Sequence, residues 1–440
     1  MSARPPIPWL RVLGALARGR VPGQAVIQYS DACNASCGHC GMSVKRSFPR
    51  SKLTPDKVKP LLDALAARGV MAVSFTGGEP LLYLDEIAEC VRHAKSLGMR
   101  SVRTGSNGFF LKGADKPGFR DRAARYADAL AQSGCTAFWI SLDASVAAVH
   151  ERHRGLSGVV EGMRQGLPIF HERGLYPAAN LCINRRMDGS PESGEAGPGA
   201  PFDATAFYER FRRAFVSYFA FAAELGFTSA NVCYPMLGES FGQDQVVYRA
   251  AGDEAFIRFA PEERVPLYRA LFDAVTLFRP RLRIFTPKSA LHAMIQTAKG
   301  RPGADFPCRG GLDFFFIDAA GMRVFPCGFR GTEDLTGEVL SGRPIRGATK
   351  DCRKCDWECF RDPSRLFGPM LELFRNPLAL ARRMARDPEW AALWREDLRY
   401  LRACGWFDGS KPPEMRALAA RAKVRPLRTG FFEEEARPVR

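Results

Sequence analysis

Cys33, Cys37 and Cys40 stand in the run Asp31-Ala32-Cys33-Asn34-Ala35-Ser36-Cys37-Gly38-His39-Cys40, a C-x3-C-x2-C spacing. Three thiolates this close can grip one iron–sulfur cluster, which ordinarily takes four cysteine ligands. The local sequence offers no fourth cysteine, so one iron keeps an open position where a small molecule can bind and be reduced. A zinc knuckle, or plain buried thiols, would use the same residues. A second group holds Cys308, Cys327, Cys352, Cys355 and Cys359. Cys90, Cys135, Cys182, Cys233 and Cys404 occur singly in apolar surroundings and read as small buried side chains.

The elements that must carry the first group alternate between two periodicities. Apolar runs predict strands at Ala25–Tyr29, Val70–Phe75, Arg100–Arg103, Ala137–Leu142, Ala178–Ile183 and Ser229–Cys233. Helical patterns fall between them, the first opening at Thr54 with Pro55 at its first position. Six βα units imply a parallel sheet buried on both faces. The three cysteines follow the first strand, where parallel barrels place reactive groups.

This order resembles the radical S-adenosylmethionine (SAM) superfamily. The resemblance implies an α/β fold, a partial (β/α)6 TIM-type barrel, with a [4Fe–4S] cluster on Cys33, Cys37 and Cys40. It also implies SAM chelating the open iron and its reductive cleavage to methionine and a 5′-deoxyadenosyl radical. Thr76-Gly77-Gly78-Glu79-Pro80 follows the second strand and looks like the family's GGE motif, in which Gly77, Gly78 and Glu79 would bind the SAM amino group. Thr104-Gly105-Ser106-Asn107-Gly108 is similar to the T-x-NG turn, Asn107 reading mainly as a turn residue. Ser141 and Asp143 at the fourth strand would bond SAM, with helix capping by Asp143 the alternative. Arg185 after the fifth strand is a candidate for the SAM carboxylate. His39 stands where relatives carry an aromatic that shields the adenine. No catalytic side chain beyond these is assigned.

Between Asp313 and Cys327 two apolar runs flank a Gly-containing turn and predict a β-hairpin. With Cys352-x2-Cys355 and Cys359 it resembles the SPASM/Twitch module, which implies an auxiliary [4Fe–4S] cluster. Cys308, Cys327, Cys352 and Cys355 would close a four-thiolate site with Cys359 spare; Cys359 in place of one of the pair, or a structural zinc, are the alternatives. The expected division is a basic amphipathic segment over 1–23, the barrel over 24–240, a helical connection over 241–305, the cysteine-rich module over 306–362, and basic C-terminal helices over 363–440.

The 440 residues carry 46% hydrophobic and 25% charged side chains, ordinary for a soluble globular chain. A formal charge of +17 attracts anionic lipid headgroups, acidic substrates or nucleic acid, and equally serves solubility. No RNA-binding motif appears, and nucleic acid is not expected as a partner. No apolar stretch reaches the roughly 18 residues of a bilayer span. The run Pro8–Ala17 is broken by Arg11 and makes a poor signal peptide. The cytoplasm is therefore the expected compartment, with peripheral membrane contact through the basic amphipathic ends as an addition. The expected function is hydrogen abstraction from a ribosomal peptide or small metabolite, with a flavodoxin or ferredoxin as reductant. Two alternatives stay open: radical modification of a lipid or isoprenoid at a membrane surface, and an iron–sulfur electron carrier or redox sensor without SAM chemistry.

Overall fold

A computed structural model describes residues 9–44, 50–189, 201–235, 246–248, 250–251, 255–346 and 349–421. The segment 188–201, whose Gly, Pro, Ser and Glu content predicts a loop, falls mostly outside them.

Seven parallel strands carry the barrel, one more than expected: β1 (Gly23–Ser30), β2 (Val70–Gly77), β3 (Ser101–Ser106), β4 (Ala137–Ser141), β5 (Ala178–Cys182), β6 (Ser229–Cys233) and β7 (Arg283–Ile284). The hairpin strands β8 (Phe314–Ile317) and β9 (Val324–Phe325) do not stand apart. β8 pairs parallel with β1, Gln24 opposite Phe314 and Ile27 opposite Ile317, and β9 runs antiparallel to β8. One nine-stranded sheet results, in the order β7-β6-β5-β4-β3-β2-β1-β8-β9.

Alternation along the strands explains both faces. On β1, Ala25, Ile27 and Tyr29 join the main core. They pack against the apolar faces of helices that include α2 (Pro55–Ala67), α3 (Leu84–Ser96) and α4 (Phe119–Ser133), where Val58, Leu61 and Leu62 of α2 are fully buried, while Leu16 of α1 (Trp9–Ala17) joins Val26 in a separate cluster. The intervening Gln24 and Gln28 are buried on the opposite face. There Arg103 Nη2 donates to Gln24 Oε1 at 3.3 Å and Asn231 Nδ2 to Asn180 Oδ1 at 2.7 Å. The barrel interior is thus lined by polar side chains.

α5 (Ala147–Arg154) precedes α6 (Val159–Glu172), and α7 (Ala204–Leu225), α8 (Pro261–Phe278) and α9 (Lys288–Ala298) complete the outer layer. α10 (Glu358–Arg375), α11 (Pro377–Arg386), α12 (Pro388–Ala403) and α13 (Met415–Arg421) follow the cysteine-rich module. Most of their apolar residues pack inward: Leu366, Leu380, Trp390 and Trp394 share a cluster with Phe306. Arg279 and Asp397, both buried, pair at 2.6 Å and tie α12 to the barrel. Among the described residues no helix is long and apolar enough to cross a membrane.

Candidate radical SAM site

The loop after β1 is locked to the turn after β2 by backbone. Gly78 N donates to Ser30 O at 2.6 Å and Glu79 N to Ala32 O at 2.8 Å. A Cβ on Gly77, whose φ is +141°, would lie 2.2 Å from Ser30 O, and one on Gly78 would lie 2.1 Å from Ala32 O. Both neighbours are backbone and cannot swing away, so only glycine lets the two loops close. Gly78→Ala is therefore expected to displace the cysteine loop. A shift of that kind costs about 10²-fold in SAM cleavage, read as 5′-deoxyadenosine formed per cluster.

Glu79 is buried and accepts from Leu81 N at 3.0 Å and Asn107 N at 2.7 Å. Burial raises its pKa to about 7 against those two donors. Asn107 is more than a turn residue. Its Nδ2 donates to Asn34 Oδ1 at 2.8 Å and lies 3.8 Å from Cys33 Sγ. β3 runs on through Thr104-Gly105-Ser106, which the sequence presented as a turn, because the Trp139 indole occupies the space a Cβ on Gly105 would need.

Asp143 does not cap a helix. It is buried and forms a bidentate pair with Arg154 on α5, Nε to Oδ2 at 2.7 Å and Nη2 to Oδ1 at 3.0 Å. Burial alone would raise its pKa; the guanidinium overrides that and holds the carboxyl well below the usual carboxylate range. Arg154 O accepts from Ser36 N at 3.0 Å, and its guanidinium acts on Cys37, whose thiol burial pushes up to about 12. Ser141 ends β4 beside this pair in sequence and is buried. His39 stacks edge-on against Phe256 at 5.6 Å, and burial lowers its pKa to about 4. It is a neutral ring, as an adenine neighbour would need. Arg185, by contrast, is engaged elsewhere: both terminal nitrogens bond Glu263, at 2.9 and 2.6 Å. The Arg185 assignment to SAM is corrected accordingly, and Arg154 is the guanidinium beside the cysteine loop. Sequence reasoning missed Arg154, though the dense run His150-Glu151-Arg152-His153-Arg154 after β4 was a visible signal.

Residues 27–185 match the model of the Radical SAM superfamily. The AdoMet-dependent heme synthase of Methanosarcina barkeri is 23% identical over 357 residues, 80% of this chain and 88% of that one. Residues 27–185 thus form a Radical SAM domain. The GTP 3′,8-cyclase of Xanthomonas axonopodis is 29% identical over 162 residues, which spans 36% of this chain and under half (45%) of the cyclase. Among solved structures, Streptococcus suis SuiB bound to S-adenosylmethionine is 15% identical with a TM-score of 0.44, covering 70% of this chain and 60% of SuiB.

A Radical SAM domain implies a [4Fe–4S] cluster and SAM; among the described residues no three Cys, His, Asp or Glu side chains converge as a metal cluster, while the residue types of the cysteine loop and the glycine turn suit both groups. Three thiols share one loop, the Gly77-Gly78 cradle admits nothing larger than glycine, and the buried Glu79 carboxyl, in the field of Arg154, has no direct ion-pair partner among the described residues, a place an ammonium group would fill.

The second cysteine group gathers around one apolar cluster. Cys308 N donates to Cys352 O at 2.8 Å, and Cys308, Cys327 and Cys355 are mutual electrostatic neighbours. Cys359 packs on the same cluster as these four, and its Sγ donates to Glu358 Oε1 at 3.5 Å, in the field of Arg103. Gln24 Nε2 bonds Cys359 O. A buried ionic network holds the module's frame. Arg361 Nη2 bonds both oxygens of Asp305 at 2.7 and 2.6 Å, and Arg365 bridges Asp305 at 2.8 Å and Asp356 at 2.7 Å.

Proposed function

We propose that Cys33, Cys37 and Cys40 hold the catalytic cluster, that Gly77, Gly78, Glu79, Ser141, Asp143 and His39 surround SAM, and that Cys308, Cys327, Cys352 and Cys355 hold an auxiliary [4Fe–4S] cluster. The catalytic cluster, when bound, supplies the electron that cleaves SAM into methionine and a 5′-deoxyadenosyl radical. The chain's own groups do the rest. Glu79 accepts the SAM ammonium, the Asp143–Arg154 pair stiffens the loop that carries Cys37, and His39 with Phe256 forms an apolar wall. The interior of the partial barrel shelters the radical from water.

The substrate we infer is a small molecule, with a heme-type tetrapyrrole the first to test. One observation carries this. The Methanosarcina barkeri heme synthase matches over 357 residues, whereas the Radical SAM family match spans only residues 27–185. The likeness therefore extends well beyond the shared SAM-cleaving domain into the parts that distinguish one radical SAM enzyme from another. An anaerobic assay with dithionite, SAM and iron porphyrin precursors of heme tests it. A porphyrin consumed in step with 5′-deoxyadenosine supports the reading. SAM cleavage that no porphyrin stimulates or couples to would overturn it.

The auxiliary ligand set has its own check. Cys355→Ser is expected to lose about four of the eight irons two clusters hold. Cys359→Ser should keep all of them, because Cys359 lies with Arg103 and Glu358. Equal loss in both variants would assign Cys359 to the cluster instead.

A further inference from the structure

The C-terminal helices leave one corner of the molecule uncovered. Where α10 ends and α11 begins, residues 373–378 are exposed in unbroken succession. Three of them are large and apolar: Leu373, Phe374 and Leu378, the last 68% exposed. Exposed apolar side chains are common singly; three on one helix–helix corner form a patch.

A groove of about 790 Å³ opens against this corner, and Glu372 and Ala379, the residues flanking the exposed run, line it. Arg301, Arg382, Arg383 and Arg386 also face it. Arg383 pairs with Glu372 at 3.0 Å and His292 with Asp387 at 2.9 Å. Arg301, Arg382 and Arg386 have no carboxylate partner among the described residues, and Glu389 is the one further acid on the wall. The basic rim continues on the other side of the corner. Gly19, just past α1, lies against the Arg375 guanidinium, and Arg18 and Arg375 are both exposed.

We propose that this corner docks on a bilayer containing anionic phospholipid, with headgroup phosphate in the arginine groove and Leu373, Phe374 and Leu378 in the acyl boundary. The charge is complementary to anionic lipid, and Arg binds phosphate through paired N–H donors. The apolar residues occupy a protruding corner, not a flat face or cleft, and a corner enters a yielding interface more readily than a rigid protein surface. Association would be peripheral, since neither helix can span a membrane. The inference does not depend on the substrate of the radical reaction.

Sedimentation of the reconstituted full chain with vesicles tests it. Phosphatidylcholine vesicles containing about a third phosphatidylglycerol should bind the protein at low salt, and binding should weaken at high salt. Pure phosphatidylcholine vesicles should bind far less. Arg382→Gln/Arg386→Gln should lower partitioning about 25-fold, at about fivefold for each arginine. Leu373→Ser/Phe374→Ser/Leu378→Ser should lower it comparably, with thermal melts and 5′-deoxyadenosine formation unchanged in both variants. Wild-type protein that stays in solution, or variants that bind as wild type does, would overturn the proposal. So would a wild-type dimer that the apolar variant dissociates. A groove that takes up soluble glycerol phosphate without vesicle binding would also overturn it, as a free phosphate site.

Discussion

Cys37→Ala is expected to take 5′-deoxyadenosine formation to background, a loss of at least about a thousandfold, or some 4 kcal/mol of barrier lowering. In the proposed assignment three thiolates hold the catalytic cluster, and two cannot keep it. Of the three, Cys37 is the buried one, seated beside Arg154. The backbone of its loop is fastened independently, Ser36 N to Arg154 O at 3.0 Å and Cys40 N to Cys37 O at 3.2 Å. The fold should therefore survive the loss of one thiol. Iron should fall from about eight to about four per chain. Cys90→Ala is the matched control. Cys90 is fully buried in the main core among helix and strand residues and should leave both iron and SAM cleavage intact.

Arg154→Met is expected to destabilise the protein by about 3–5 kcal/mol, the scale for stranding one partner of a buried ion pair. Asp143 and Arg154 are both buried and bidentate, and Cys182 N at 3.4 Å is the only other donor to the Asp143 carboxylate among the described residues. The pH dependence follows from the sign of the shift. The folded state holds the Asp143 carboxyl well below its ordinary value. The pair's contribution is thus fully present above the unfolded pKa of about 3.9 and is lost as pH falls below it. In the methionine variant burial goes unopposed and the carboxyl pKa rises. Its deficit should be largest near neutral pH and shrink on mild acidification, as the stranded carboxyl takes up a proton. Urea denaturation at two pH values reads this. Adding Asp143→Asn to Arg154→Met should recover part of the loss, because the buried charge is gone.

The features legible beforehand were those written locally. The cysteine spacing, the Gly-Gly-Glu turn and the βα alternation each depend on residues within one loop or one element. What escaped depends on contacts made far along the chain. Arg185 looked free for a ligand until Glu263, on a helix 78 positions away, claimed it. Gly105 looked like a turn glycine, yet it is a strand glycine that makes room for Trp139. The hairpin was found by its pattern, but not its place: β8 adds to β1 across some 290 residues, and Arg20 reaches Asp313 and Leu312 beside that junction. The same long-range packing brings the Gln24 amide of β1 onto Cys359 O.

The central claim is that an open-iron cluster on Cys33, Cys37 and Cys40 binds and cleaves SAM. The electron paramagnetic resonance spectrum of the anaerobically reconstituted, dithionite-reduced chain, recorded before and after SAM is added, tests it most directly. The account predicts a reduced [4Fe–4S] signal whose g values shift on SAM binding, with 5′-deoxyadenosine accumulating in the same sample. A cluster signal that SAM leaves unchanged, with no 5′-deoxyadenosine formed, would contradict it and leave an iron–sulfur electron carrier.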